Sequence, residues 1–572
     1  MDLRPYLAGS TEPHLRSLSH ALDAAAPADL VALVADQTDA TLSDGEVSVR
    51  IVRTSSHTLS VTTRWGKEQI EQVVNVPTAP LSKQEFDEAL KSPDRPLHRR
   101  AGRWYEGLPK GSADARGDGT IEKVVPAITP ESLGDDSFKA AHGVKRAYIA
   151  GAMAGGIASP ELVIAMGKAG YIGFYGAGGL DLNTIEKAII RIKSELGDLP
   201  CGFNLLNNPG EPGVEESTVD LYLSKGVRTI SASAYMGLTP AVARFRLANI
   251  REENGRIVAP NSVLAKVSRT EVAEHFLRPA PAKLLQELVA SGGITARQAE
   301  LAAHVPIAED VTPEADSGGH TDGRPLSVLV PVFRRLRDRV QAEHNYAIVP
   351  RIGAAGGIAD PESLAAALTM GAGYVLTGSI NQCTVEAGTS DVVKEMLSQA
   401  GYADVANGPA PDMFEIGAKV QVLSRGSLYA QRAQLLYEVY REHAAWENVP
   451  KVQRDKIEKQ ILGRNFEDVW ADTAKYWTAR DPREADRAQQ DTHHRMALCF
   501  RWYLGMTSRW ARLGDSARKR DYQIWCGPAM GLFNDWARGT AMERWQDRTV
   551  VGLADALMTG ACTVLRTRIA LT

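Results

Sequence analysis

Two glycine turns stand one helix apart in residues 356–379, GGIADPESLAAALTMGAGYVLTGS. Gly356 and Gly357 lead into Asp360 and Pro361, an N-cap followed by proline at the first helical position, and Gly378-Ser379 end the next apolar run. Glycines let a backbone approach an anion closely, and a helix start adds N–H groups and a positive dipole end. This order suits a seat for a phosphate group, against a reading as plain turns. Upstream, Gly151-Ala152-Met153-Ala154-Gly155-Gly156 is a small, flat strip against which a planar ring can lie, or a glycine-rich turn. Asn204 sits among apolar residues in GFNLL, and Ser231 and Ser233 alternate toward one face. These polar groups either meet a ring edge or serve the surrounding backbone as small interior residues.

Two residues carry charge chemistry. Lys266 interrupts the apolar run LAKVS, and an isolated buried ammonium is very costly. It therefore needs an anionic partner, either the charge of a reduced cofactor or an acid such as Glu309. His320 follows the glycine pair of SGGH, where an imidazole can donate a proton or polarise a carbonyl near neutral pH. Cys383, in GSINQCT, reads as a buried inert thiol rather than a nucleophile.

The elements that must position these residues alternate strand-like and helical patterns from about residue 147. Eight segments begin as strands: 147–160, 170–180, 200–209, 227–240, 262–270, 305–320, 346–358 and 373–381. Asn183 with Glu186 reads as a capping box for a helix carrying Ile185, Ala188, Ile189, Ile192 and Leu196 on one stripe. Eight βα units in about 250 residues predict an α/β fold, a (β/α)8 TIM barrel. Its working residues belong at the C-terminal strand ends. The expected organisation is an N-terminal α/β region over 1–140, a barrel over 141–400 and a C-terminal helical extension over 401–572. A helical insert after strand five, 272–304, is read as two helices around SGGIT. Residues 21–34 are read as helix, 47–61 as a strand or two, and 109–120 as a surface loop. The tail's tryptophans (470, 477, 502, 510, 525, 536 and 545) are expected to pack inside.

Composition excludes other classes. The formal net charge is −4, from 65 Lys+Arg and 69 Asp+Glu, without the basic clustering of a nucleic-acid binder. Cys201, Cys383, Cys499, Cys526 and Cys562 lack metal-ligand spacing and suit a reduced, cytoplasmic protein. The first residues lack the apolar core of a secretion signal, and no apolar stretch of about 18 residues is seen, so no membrane span is expected.

The strip around Met153, the GGH of strand six and the GGIAD phosphate turn resemble the nitronate monooxygenase and FMN-dependent enoyl reductase superfamily. ADSGGHTDGRP, PNSVLAKVSRTEVAEHFLRPAP and DYQIWCGPAMGLFNDW further resemble the PfaD family, trans-acting enoyl reductases of polyunsaturated fatty acid and polyketide synthases. The resemblance runs from about residue 147 to near the C-terminus. It implies FMN, with NADPH or NADH as hydride donor and enoyl thioesters on acyl carrier protein domains as substrate. By it, Gly356, Gly357, Gly378 and Ser379 bind the FMN phosphate. Ala152, Met153, Ala154, Asn204, Ser231, Lys266 and Gly319 line the ring, and His320 and Lys266 are the catalytic pair. The turn Gly378-Ser379-Ile380-Asn381 departs from the family's Gly-Thr. The rival readings are a nitronate monooxygenase-like oxygenase and a non-catalytic synthase docking subunit. An inosine-monophosphate-dehydrogenase-like enzyme is set aside because Cys383 follows the GGI turn instead of preceding it. Oligomeric state is left open, a homodimer among the candidates.

Overall fold

The computed structural model describes residues 39–44, 47–55, 58–65, 68–75, 81–100, 102–107, 121–207 and 211–572. The helix expected over 21–34 and the loop expected over 109–120 lie outside them.

Each of the eight strand segments supplies a parallel strand. Strands one to six are Tyr148–Ala150, Ile172–Tyr175, Gly202–Leu206, Thr229–Ser233, Ser262–Val267 and Asp310–Pro313. Each pairs with the next. Strand seven is split at Gly353 into Arg351–Ile352 and Ala354–Ala355. Its first half pairs with strand six and its second half with strand eight, Val375–Thr377, which pairs with strand one. The sheet therefore closes on itself through one strand that changes neighbours. Gly353 sits at the changeover, its N–H donating to the Val311 carbonyl at 3.0 Å. A Cβ there would collide with the Tyr374 ring, so glycine is required.

The helices form for local reasons. Leu182–Leu196 buries Ile185, Ala188, Ile189, Ile192 and Leu196 against the barrel, each such burial contributing about 1.5–3 kcal/mol for the larger side chains. Its cap is Asp181, which accepts from the Thr184 N–H at 2.9 Å, not Asn183 as the spacing suggested. Asp360 caps Pro361–Thr369, and Gly371 follows with φ +93°. The stretch 272–304 holds three helices instead of two: most of Thr270–Leu277, which follows strand five, and then Ala282–Ala290 and Ala296–Ala302 on either side of SGGIT.

Beyond the barrel the chain first forms a hairpin that the helical expectation omitted, Val405–Pro409 against Lys419–Leu423. Helices Tyr429–Glu442, Phe466–Arg480, Thr492–Leu513, Ala529–Ala537 and Val550–Leu571 follow. Trp446, stacked on Phe466 at 4.5 Å, joins Phe414, Phe500 and Tyr503 in a core of the tail's own, and Trp470, Trp502, Trp510 and Trp525 pack against it. Val550–Leu571 corrects the expectation of no long apolar stretch, because by length and composition it could cross a membrane. Here it buries Val550, Leu553, Leu557 and Met558 in the core beside the barrel. Its Asp555 accepts from the Tyr171 hydroxyl at 2.6 Å and pairs with Arg146.

The described residues up to Ala127, with Ile569–Thr572, make one compact unit, and Ile128–Arg568 the other. The first holds a four-stranded antiparallel sheet, Asp39–Asp44 to Glu68–Asn75. It also holds a three-stranded sheet of Leu97–Arg100, Arg103–Glu106 and Ile121–Val125 with the helix Lys83–Lys91.

Candidate active site

The strand ends open into a cavity of about 740 Å³. Ala152, Met153, Ala154, Asn204, Lys266, Gly319, His320, Gly356, Gly357, Gly378 and Ser379 all line it, so residues 227 positions apart in the chain meet at one mouth. Ser231 does not. Ser231 and Ser233 share the inward face, but two residues of strand rise, about 6.6 Å, leave Ser231 one layer deeper, and Ser233 lines the cavity in its place.

The strip after strand one is held flat by its neighbours. The Gly151 N–H donates to the Thr377 carbonyl at 2.9 Å, Gly155 to Gly178 at 2.7 Å and Gly156 to Gly176 at 2.8 Å. Asn204 donates from Nδ2 to the Ser231 carbonyl at 3.1 Å and to Ser233 Oγ at 3.3 Å, so its amide serves the strand backbone while the residue borders the cavity.

The glycine turns after strands seven and eight form a cradle. Gly356 and Gly357 have φ of +86° and +71°, the left-handed region that favours glycine. A Cβ at Gly356 would press on the Ala315 and Asp316 backbone, whereas at Gly357 and Gly378 it would enter open space. That open space, bordered by backbone at two glycines, fits a phosphate group. The helix end contributes less than expected. The Ala359 and Asp360 N–H groups donate to Ser363 Oγ at 3.0 and 3.1 Å, and the Ser363 N–H donates to Asp360 at 2.8 Å. Ser379 Oγ accepts from the Gly527 N–H at 3.2 Å.

Lys266 is held by Glu314, Nζ to Oε1 at 2.5 Å, and Ser317 Oγ donates to the same oxygen at 3.2 Å. Glu309 is elsewhere, paired with Arg246 at 2.6 Å. His320 does not close strand six, which ends at Pro313. It lies on a separate two-residue strand, Gly319–His320, paired antiparallel with Gln421 and Val420 of the tail hairpin. From the loop of that hairpin Asp412 reaches the ring, Oδ1 to Nε2 at 3.2 Å. Burial works against a charged imidazole. The hydrogen bond and negative charge of Asp412 outweigh it, and the His320 pKa rises above its ordinary value. The Asp412 carboxyl is held below its ordinary range in turn: burial opposes this, but the His320 hydrogen bond and charge prevail.

The sequence reading missed the tail's share of the wall. Pro411, Asp412 and Met413, a face of the helix Thr492–Leu513, and Gln523 with Trp525 all line the cavity. The motif DYQIWCGPAMGLFNDW was the signal, and its role is now visible. Trp525 bridges to Val422, and a Cβ on Gly318 would strike the Cys526 backbone, so this segment clasps the SGGH loop. Cys383 is buried, and burial pushes its thiol pKa up to about 11, the state of an inert thiol.

Residues 138–407 match the nitronate monooxygenase family, and residues 443–522 match the inserted helical domain of [acyl-carrier-protein] S-malonyltransferase. A polyunsaturated fatty acid synthase subunit of Thraustochytrium sp. is 41% identical over 88% of this chain and 34% of its own length. Polyketide biosynthesis protein PksE of Bacillus subtilis is 43% identical over 78% of this chain and 58% of its own. The chain thus spans between about a third and three-fifths of these curated relatives. Among solved structures, the enoyl reductase domain of MlnA from the macrolactin cluster of Bacillus amyloliquefaciens superposes with a TM-score of 0.74 at 38% identity. The match covers 77% of this chain and all of that one. A shared barrel, a shared tail and this identity across the whole of a solved domain place the chain in one family: it belongs to the PfaD-like enoyl reductases.

Proposed function

We propose that the chain is a trans-acting, FMN-dependent enoyl reductase. It uses NADPH or NADH to reduce the α,β double bond of enoyl thioesters carried on acyl carrier protein domains, in polyketide or polyunsaturated fatty acid biosynthesis. The observation that carries the reading is the meeting, in one cavity, of an open glycine cradle, a flat strip, the Lys266–Glu314 ion pair and a histidine with raised pKa. The five free thiols suit the cytoplasm.

Gly356, Gly357, Gly378 and Ser379 would hold the phosphate, and Ala152, Met153, Ala154, Asn204, Ser233 and Gly319 would border the ring. The chemistry FMN supplies when bound is acceptance of a hydride from the nicotinamide and its delivery to the β carbon of the enoyl thioester. Lys266, held in place by Glu314, would offset negative charge on the reduced cofactor. His320 would supply the proton that the α carbon must gain, and Asp412 beside the ring favours its charged form. The tail adds Trp525 and the hairpin loop to the wall of the cavity. The match of residues 443–522 to a domain of an acyl-carrier-protein transferase supports a carrier partner.

The match of the barrel to the nitronate monooxygenase family supports a second reading, an FMN oxygenase of small nitro compounds. Product analysis separates them. Under nitrogen, the protein with NADPH and crotonyl carrier protein should yield the butyryl thioester. No saturated product under nitrogen, with turnover only in oxygen, would overturn the reductase reading.

A further inference from the structure

One face of the tail helix Thr492–Leu513 enters the cavity wall with Gly505, Ser508 and Arg512. Of the neighbouring tail arginines, Arg495 pairs with Glu467 at 2.5 Å, Arg501 with Glu415 at 3.2 Å and Arg518 with Asp521 at 3.0 Å, while Arg509 is exposed to solvent. Arg512 is different. It lines the cavity, it has no acid partner among the described residues, and its one hydrogen bond there is to a neutral group, the Gly155 carbonyl at 2.6 Å. The guanidinium lies flat on Gly155, whose Cβ, were there one, would sit 3.0 Å from Nε. Burial and the nearby positive charge of Arg509, one turn earlier, both disfavour its charged form.

A helix C-terminus favours a cation, but a solvent-exposed side chain would serve that dipole equally well. Turning the arginine inward costs desolvation, which an ordinary surface cation avoids. A planar guanidinium with donors to spare is suited to a phosphate, which it can bind with two parallel hydrogen bonds. The glycine cradle after strands seven and eight already accounts for the resident cofactor's phosphate. Arg512 lies beside the strip after strand one, on the wall that the tail adds.

We propose that Arg512 is the anchor for a phosphate ester of a ligand that comes and goes, foremost the phosphodiester at the root of a phosphopantetheine arm. The inference rests on the reductase reading and adds to it the recognition of the carried substrate. The nucleotide donor's phosphates offer the same chemistry, and the test distinguishes the two sources.

Wild-type, Arg512→Met and Arg512→Lys proteins, each loaded with FMN, would be assayed with crotonyl-phosphopantetheine and with crotonyl-N-acetylcysteamine, which has no phosphate. The preference for the phosphate-bearing thioester, read as a ratio of kcat/KM values, should fall about tenfold in Arg512→Met and largely return in Arg512→Lys. If that ratio holds while the KM for NADPH rises about tenfold, the anchored phosphate is the nucleotide's. If neither moves, or if FMN affinity is the only quantity to fall, the anchor is overturned. Wild-type turnover of the phosphate-free thioester tests the reductase reading by itself, so its failure is distinguishable from failure of the anchor.

Discussion

His320 and Asp412 lie 92 residues apart in sequence and meet at 3.2 Å, imidazole Nε2 to carboxylate Oδ1, across a strand pairing between barrel and tail. The tail therefore sets the protonation of a group that the barrel presents to the cavity. Because the His320 pKa is raised, its acid form persists to higher pH than that of a free imidazole. Activity that needs that proton falls as pH rises through the raised value. In Asp412→Asn the falling limb of kcat/KM should move to lower pH by about one unit. His320→Ala should lose the limb altogether, with kcat down about 10²–10⁴-fold and FMN still bound. An Asp412→Asn profile that superposes on the wild type would show that the pair does not set the proton.

Lys266 gives a second, electrochemical readout. Replacing it by Met removes a positive charge from the cavity and leaves Glu314 without its partner. The flavin's midpoint potential should become more negative by about 30 mV, about 1.4 kcal/mol for a two-electron couple. Spectroelectrochemistry of the loaded protein measures it, and an unchanged potential would leave Lys266 a structural ion-pair member only.

Gly378 separates cofactor contact from backbone strain. Its φ of −129° lies outside the left-handed region, and a Cβ there meets open space. Gly378→Ala should weaken FMN binding about tenfold while apoprotein stability changes by no more than about 0.5 kcal/mol. Fluorescence titration with FMN, beside urea unfolding of the apoprotein, reads both.

At the opposite end of the barrel, Asp310 accepts from Arg351 at 2.6 and 2.8 Å and contacts His142 at 2.8 Å, all buried. Burial opposes ionisation there, but His142 and Arg351 prevail and hold the Asp310 carboxyl well below the usual range. A depressed carboxyl pKa stabilises the fold above the ordinary carboxylate range, and that stability is lost as pH falls through the folded-state value. Asp310→Ala leaves Arg351 with only Glu309, at 3.9 Å, and should cost about 3 kcal/mol in urea unfolding at neutral pH.

What the sequence displayed was whatever depends on local chemistry. Asp360-Pro361 and the glycine turns announce their loop by capping and φ preference, and eight apolar runs announce a closed parallel sheet. What it concealed depends on distant partners. Gly353 gives no sign that strand seven changes neighbours there, because the collision that demands glycine comes from Tyr374, 21 residues on. Val405–Pro409 holds Gly and Pro, and Lys419–Leu423, though it alternates, is only five residues long, so the hairpin did not stand out and Asp412 was invisible as a partner of His320. Ser231 and Ser233 share a face, and only the depth of the cavity separates them. The stretch 550–571 is interrupted by enough polar residues to escape notice as an apolar helix.

In the proposed reaction one resident flavin passes hydride from nucleotide to a carried enoyl group. Anaerobic stopped-flow absorbance tests it directly: FMN-loaded protein is mixed with NADPH or NADH, then with crotonyl carrier protein. Loss of the flavin's visible band in the first mix and its return in the second, without oxygen, is the predicted result. A band that returns only when oxygen is admitted, or a protein that takes up no flavin, would contradict the account.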